Sequence, residues 1–286
     1  MERTTSGWGS GMLGIVIFSG SLPATRLAIA DMTPLFVTSG RAVLAALLGA
    51  VFLLALRQSR PSRDAVLPLG IVAAGVVVGF PLLSGLALQH ISAAHSIVFT
   101  GLLPLATATF GVIRGGEHPR PAFWFFSILG AATVVGFAAY RNTGGSLTGD
   151  ALMIAAILLC GLGYAEGATL SRRLGGWQVI SWALLLASPV MAGIAVLTMP
   201  AHWASVGQQA WMGFAYVSVF SMMLGFVFWY RGLALGGIAG VGQLQLLQPF
   251  GGLVLAALIL GEPVAWTMVA STGVIVLCVA GAKQFA

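Results

Sequence analysis

Charged residues are scarce in this chain. Only 7% of its 286 residues are Asp, Glu, Lys or Arg, and 58% are hydrophobic. The mean hydropathy is +0.99. Because soluble domains carry about 25% charged residues, so little charge cannot cover the surface of a soluble fold. The composition therefore indicates an integral membrane protein with the lipid bilayer as its main partner.

Residues for metal or covalent chemistry are also few. The two cysteines, Cys160 and Cys278, lie in apolar segments, so no disulfide is predicted. The four histidines, at positions 90, 95, 118 and 202, are scattered and form no cluster with metal-ligand spacing or a nucleophile–base pair. We therefore predict no catalytic site, no metal and no cofactor. The net charge of +6 does not indicate nucleic-acid binding, because the basic residues are spread over short loops.

Long apolar runs fill most of the chain. A membrane-spanning helix needs about 20 apolar residues. Such runs predict an all-α protein with ten spans, near residues 9–29, 33–56, 65–88, 92–113, 120–139, 150–171, 177–199, 208–234, 238–260 and 264–283. The first run shows no cleavage site, so we expect it to stay in the membrane rather than to be removed as a signal peptide.

The basic residues predict the orientation of the spans, because Lys and Arg concentrate in cytoplasmic loops. Alternate loops on one side hold Arg3, Arg57, Arg60, Arg63, Arg114, Arg120, Arg172, Arg173 and Lys283. The opposite side holds Arg141, with Arg26 close to the end of the first span. We therefore expect both termini to lie in the cytoplasm.

One sequence pattern occurs twice. Its first copy has Gly85-Leu86-Ala87-Leu88, then Pro104 and Gly116-Glu117; its second has Gly232-Leu233-Ala234-Leu235, then Pro249 and Gly261-Glu262. The distance from Pro to Glu is 13 residues in both copies. The period is about half the chain, which predicts two units, 1–145 and 146–286, rather than a solenoid. Five spans in each unit make the repeat inverted, an arrangement suited to alternating access.

Four prolines within predicted spans are candidate hinges: Pro23, Pro81, Pro104 and Pro249. Each removes a backbone donor and leaves a carbonyl free. Membrane helices also tolerate proline without any function. Pro104 and Pro249 are the stronger candidates, because they occupy matched positions of the repeat.

Charged residues within spans suggest function because burying them in a bilayer is costly. Glu166 is the acidic residue well inside a span, and Arg231 lies at a similar depth. The two can form a structural ion pair, or Glu166 can bind a proton or a ligand amine. Arg26 and Arg41 fall near the predicted outer side, so we expect them to reach the membrane surface or to pair with Asp31.

Polar and aromatic residues near mid-membrane are candidates for a substrate cavity. The cavity candidates are Phe80, Ser84, His95, Phe99, Tyr164, Trp229, Gln243, Gln245 and Gln248. The aromatic residues would suit apolar side chains and ammonium groups, and core or lipid packing is their alternative role. The glutamines need polar partners, which a wet cavity supplies. His95 can be a gate, a ligand contact or a helix–helix hydrogen bonder.

The chain resembles the drug/metabolite transporter superfamily of the EamA type. It has ten predicted spans in two halves, and each half closes with Gly-Leu-Ala-Leu, Pro and Gly-Glu. Within the superfamily the chain is most similar to the YddG-type exporters of aromatic amino acids in bacterial inner membranes. The resemblance implies a basket of ten helices around a cavity lined by spans one, three, four, six, eight and nine. It also implies export of aromatic amino acids and others such as methionine or threonine from the cytoplasm.

Other functions remain open at this point. An exporter of lipophilic cations would want a membrane carboxylate, which Glu166 could supply. A carrier of phosphorylated sugars is disfavoured because the one lysine, Lys283, is terminal and no arginine is clearly central. A channel would need a ring of polar groups and fits two inverted halves less well. Two such halves would make a monomer sufficient for transport.

Overall fold

The computed structural model describes residues 2–115, 120–140, 146–236 and 241–285, and every regular element in these ranges is helical. The helices of the first half are α1 (Glu2–Ser19), α2 (Ser21–Ala28), α3 (Pro34–Ala55), α4 (Arg63–Val72), α5 (Phe80–Ala87), α6 (Ala93–Thr100), α7 (Leu103–Gly115) and α8 (Pro121–Tyr140). Those of the second half are α9 (Leu147–Leu174), α10 (Gly176–Thr198), α11 (Gln208–Ala215), α12 (Phe226–Gly236), α13 (Gln248–Leu260) and α14 (Trp266–Gln284). Short 3₁₀ turns cover Trp203–Ser205 and Gly242–Leu247.

Seven stretches of the described residues are long and apolar enough to cross a membrane. They are Ser6–Ala28, Pro34–Ala55, Arg63–Ala87, Ala93–Ile113, Leu147–Leu174, Gly176–Thr198 and Gln208–Leu235. Three shorter apolar helices, Trp124–Thr133, Gln248–Leu260 and Trp266–Cys278, lie where the remaining spans are predicted. The all-helical, multi-pass architecture is confirmed, and the count of ten spans stays a prediction.

The four predicted hinge prolines share one structural position. Pro81, Pro104 and Pro249 are the second residues of α5, α7 and α13, and Pro23 is the third residue of α2. Proline has no N–H to donate within a helix, so it is tolerated best near the start of a regular α-helical segment. The prolines therefore mark places where one helical segment of a span passes into the next.

Two π-helical segments occupy matched places in the two halves. The first, Ala73–Gly79, runs directly into Phe80, and the second, Tyr216–Gly225, runs directly into Phe226. A π-helical turn is wide and often occurs at functional sites. Both aromatic residues also precede their Gly-Leu-Ala-Leu copies by five or six residues, which links the segments to the repeat.

The helices pair across the two halves in a two-fold pattern. α1 packs on α12 and α5 packs on α9, while α3 packs on α10 and α8 packs on α14. Small residues allow this close approach. A Cβ atom at Gly75 would lie 2.5 Å from the Leu159 carbonyl oxygen, and one at Gly232 would lie 2.7 Å from the Gly11 nitrogen. The two halves therefore contact each other directly through backbone atoms.

Candidate functional site

A cavity lies at the centre of the helical bundle, between the two halves. Its lining residues are Phe18, Ser21, Leu22, Thr25, Arg41, Val76, Phe80, Pro81, Ser84, Leu103, Cys160, Tyr164, Ser221, Phe226 and Gln248. They come from spans one, three, four, six, eight and nine, as the resemblance implies, and α3 adds Arg41. We call this set the central cavity.

The central cavity is narrow in this conformation. The centre of a water molecule can reach about 30 Å³ of it. Because one water needs about 10–15 Å³ by this measure, the space holds two or three waters. An amino acid does not fit, so binding one requires the surrounding helices to move apart.

Divided helices meet at the cavity. Leu103 and Gln248 are the first residues of α7 and α13, and both line it. Leu103 follows the turn at Gly101 and Leu102, and Gln248 follows the 3₁₀ segment Gly242–Leu247, so the helical geometry changes at both points. The π-helical segments contribute Val76 and Ser221 to the lining, and the residues that directly follow the segments, Phe80 and Phe226, line the cavity too. The cavity is therefore bordered by the points at which four spans depart from a regular α-helix.

Arg41 is the charged residue among the described residues that line the cavity. It is 4% exposed, its Nη2 donates to Ser221 Oγ at 3.1 Å, and its Nε has no hydrogen-bond partner in the described part of the chain. Ser221 Oγ lies 2.7 Å from Ser21 Oγ. A guanidinium and two hydroxyls thus form one polar cluster, contributed by both halves.

This position corrects the expectation that Arg41 extends to the surface or pairs with Asp31. Asp31 Oδ2 instead accepts the Gly207 N–H at 2.8 Å. Arg26, the other arginine of that expectation, donates to the Leu88 carbonyl oxygen. The packing of α3 against α10 and the second π-helical segment turns Arg41 inward. The sequence signalled a role for Arg41 only as a charged residue within a predicted span. Sequence spacing does not say which face of the helix carries the Arg41 side chain.

An aromatic wall forms another side of the cavity. Tyr164 and Phe226 line it with ring centroids 5.9 Å apart, and Phe18 packs edge-on to Phe226 at 5.0 Å. Trp229, fully buried, supports this wall from behind with its ring 5.9 Å from Tyr164. Tyr230 is also fully buried and donates to the Gly163 carbonyl at 3.3 Å.

The glutamines divide into three cases. Gln248 lines the cavity, is 8% exposed, and its Oε1 has no hydrogen-bond partner among the described residues. Gln245 is 1% exposed, and neither atom of its side-chain amide has a described partner. The side chain of Gln243 lies outside the described residues. Among the glutamines whose side chains are described, Gln248 is the one that lines the cavity.

One end of the bundle is closed by contacts between helices that are distant in sequence. Gly261 ends α13 with a φ of +64°, a left-handed conformation that glycine adopts easily. Glu262 then accepts hydrogen bonds from two N–H groups at the start of α6, those of Ala93 at 3.1 Å and Ala94 at 2.7 Å. We call this end, which holds Glu262 and the start of α6, the Glu262 end.

A buried pair adds to the closure of the Glu262 end. His95 Nε2 lies 2.8 Å from Asp150 Oδ1, and both residues are buried. His95 follows Ser92, whose hydroxyl accepts the His95 N–H at 3.1 Å, and Asp150 lies in the first turn of α9. The pair therefore joins α6 to α9, and all eight residues of α6 are buried.

The remaining predicted site residues lie away from the cavity lining. Phe99 is fully buried in the core beside the His95 ring, at 5.7 Å. Glu166 is buried on α9, whereas Arg231 is exposed on α12. Contact of these residues with a substrate stays a prediction. Four of the predicted cavity residues, Phe80, Ser84, Tyr164 and Gln248, do line the cavity. The polar or charged lining residues that the sequence analysis did not single out as cavity residues are Ser21, Thr25, Arg41, Cys160 and Ser221.

The described residues contain no group of three or more His, Cys, Asp or Glu arranged to hold a metal ion. The cavity instead combines one cation, hydroxyls, an amide and aromatic rings. Such a set can bind a small molecule that has a polar and an apolar part. It holds no pairing of a nucleophile with a base among its described lining residues.

Comparisons with known proteins point to one family. Residues 5–139 and 147–282 each match the EamA-like transporter family. The "Uncharacterized transporter YdeK" of Bacillus subtilis (strain 168) is 58% identical over 286 residues, which cover 100% of both chains. A crystal structure described only as that of a protein superposes with a TM-score of 0.70 over 99% of this chain and 98% of its own, at 20% identity. That likeness shows a shared fold.

Proposed function

The chain belongs to the EamA-like transporter family, and we propose that it exports amino acids or similar small amphipathic metabolites through the central cavity. It is a transporter of a small molecule, and the family points away from an enzyme. The proposed substrates are aromatic amino acids and others such as methionine or threonine. The proposed location is the bacterial inner membrane, with both termini in the cytoplasm.

The observation that carries this proposal is the lining of the central cavity. Arg41 and Gln248 supply a cation and an amide, while Phe80, Tyr164 and Phe226 supply apolar walls. An amino acid has matching parts, because it carries a carboxylate, an ammonium group and a side chain. Cavities that place a few polar groups among apolar walls are typical sites for such ligands.

We further propose that transport proceeds by alternating access. The cavity holds only two or three waters here, so a substrate must enter when the helices part. In the predicted orientation the Glu262 end faces the outside, and its contacts must break for release. The divided spans and matched π-helical segments supply places where the backbone can bend, in both halves.

An exporter of lipophilic cations is the alternative. Such a carrier would want a carboxylate in its binding site. Among the described lining residues the charged one is Arg41, and Glu166 does not belong to the lining. This difference favours substrates that carry a negative group.

Counterflow tests the proposal. Vesicles containing the purified protein are loaded with unlabelled phenylalanine, methionine or threonine, and entry of the labelled amino acid is followed with and without a pH gradient. We expect labelled uptake above that of protein-free vesicles for at least one of the three. Folded protein that moves none of them would contradict the proposal. Glu166→Gln with unchanged gradient-driven uptake would exclude Glu166 as a proton carrier.

A further inference from the structure

We propose that Arg41 binds the carboxylate of the transported molecule, so that this carrier selects small monocarboxylates and rejects amines that lack a carboxylate. The inference rests on the proposed function, because it takes the central cavity as the substrate site. It names a substrate-binding residue on α3, a helix that the resemblance does not place at the cavity.

Burying the charge of Arg41 is costly. A guanidinium taken out of water needs a counter-charge or a full set of acceptors. Arg41 is 4% exposed and, within the described ranges, has one side-chain acceptor, Ser221 Oγ. No described carboxylate lies within ion-pair distance of the Arg41 guanidinium. A substrate anion would supply the missing counter-charge.

The hydrogen-bonding geometry of Arg41 suits a carboxylate. Nε and Nη2 form one edge of the guanidinium, and two parallel hydrogen bonds from one edge are the usual way in which arginine holds a carboxylate. In Arg41 the Nη2 atom contacts Ser221 and the Nε atom has no described partner. Ser21 Oγ lies 2.7 Å from Ser221 Oγ, so the two hydroxyls can satisfy each other when a carboxylate replaces Ser221 at Nη2.

The lining of the central cavity favours a carboxylate over a phosphate. The sequence disfavoured anionic phosphorylated substrates because no arginine was clearly central, and the position of Arg41 removes that reason. However, the described lining has one basic side chain, which matches one negative charge better than two. Gln248 also faces the cavity with an unpartnered Oε1, which can accept a hydrogen bond from an ammonium group. A single cation with a neutral acceptor favours a zwitterion or a monocarboxylate.

The test measures binding separately from transport. Purified protein in detergent is titrated with 3-phenylpropionate, 2-phenylethylamine and 2-phenylethyl phosphate, and binding is read from the rise in melting temperature. We expect 3-phenylpropionate to bind the wild-type protein and the amine not to bind. Arg41→Gln should weaken carboxylate binding by about tenfold or more, because it removes a charge-assisted hydrogen bond.

Three further variants make the comparison interpretable. Arg41→Lys keeps the charge but not the planar edge, so its affinity should fall between those of the wild type and Arg41→Gln. Arg60→Gln removes one positive charge from an exposed loop residue and should bind like the wild type. If Arg41→Gln does not fold, Arg41→Lys decides, because it should lower carboxylate affinity while the positive charge is retained. Ser221→Ala removes only the hydroxyl that the carboxylate displaces from Nη2, so it should not lower that affinity.

Four outcomes would overturn the inference, and a fifth would separate it from the proposed function. Equal binding of the amine and the carboxylate, or carboxylate binding unchanged in Arg41→Gln, would show that Arg41 does not select the substrate. Tighter binding of the phosphate ester would assign the site to phosphates. No binding of any of the three to folded protein would also refute it. Carboxylate binding that depends on Arg41, without amino acid counterflow, would leave the inference standing and refute the proposed function.

Discussion

Replacing Glu262 with Gln should open the Glu262 end more often. The carboxylate accepts the N–H groups of Ala93 and Ala94 at 3.1 and 2.7 Å, at the positive end of α6. A Gln side chain keeps one acceptor oxygen, presents an NH₂ group to the other N–H, and loses the charge. The change therefore weakens a contact that holds α6 to the segment after α13.

The magnitude follows from these two contacts. A hydrogen bond to a charged group contributes about 1.5–3 kcal/mol, and a negative charge at a helix start contributes about 0.3–1 kcal/mol. Glu262 is half-buried, so water recovers part of the loss. We take a net effect of about 1–2 kcal/mol, which corresponds to a change of about 5–30-fold in the equilibrium between closed and open forms.

The native thiol of Cys160 provides the assay. It lines the central cavity and is 1% exposed, so a reagent reaches it only when the cavity opens. Cys278 is replaced by Ala, and a membrane-impermeant maleimide is added to the side that the Glu262 end faces. We expect Glu262→Gln to raise the initial alkylation rate by about 5–30-fold, in proportion to the open population.

Two controls make this prediction refutable. Asp64→Asn breaks an exposed ion pair with Arg173 and should leave the rate unchanged. Reagent added from the opposite side should show no such increase, because a gain from both sides would indicate general loosening. An unchanged or lower rate in Glu262→Gln, with Asp64→Asn behaving as the wild type, would refute the role of Glu262 in closure.

Three more changes are predicted from packing and backbone geometry. Asp150→Asn should weaken the buried contact with His95 by about 1–3 kcal/mol and lower the melting temperature of the purified protein; an unchanged melting temperature would contradict a structural role for the pair. Pro249→Ala should slow counterflow more than it weakens substrate binding, and the hinge role fails if binding falls while the rate is kept. Gly75→Ala should cost about 1–3 kcal/mol through overpacking, since its Cβ would lie 2.5 Å from a carbonyl oxygen. Gly193→Ala, where nothing lies within 4 Å, is its matched control and should melt at the wild-type temperature.

The divided spans illustrate what local chemistry reveals. A proline lacks an N–H wherever it stands, so Pro104 and Pro249 predict a break whatever surrounds them. The structure starts α7 and α13 at the residues before them. The π-helical segments had no such local signal, because a wide turn depends on the side chains packed around it.

The repeated Gly-Glu pair illustrates what spacing leaves open. Its recurrence revealed two related halves, yet the partners of Glu262 are backbone N–H groups about 168 residues away in sequence. The first copy, Gly116-Glu117, lies outside the described residues. Only the packing of α6 beside the end of α13 shows that the motif closes the bundle.

The sequence by itself determined that this protein is helical, duplicated and embedded in a membrane, because hydropathy and internal repetition depend on which residues are present and in what order. The tertiary structure decided which way Arg41 points, and which polar groups it meets. In a bilayer the outer surface of a helix is as apolar as its buried face, so the sequence carries little periodic signal for orientation. The rotation of each helix is decided instead by close packing, through contacts such as that of α3 with α10.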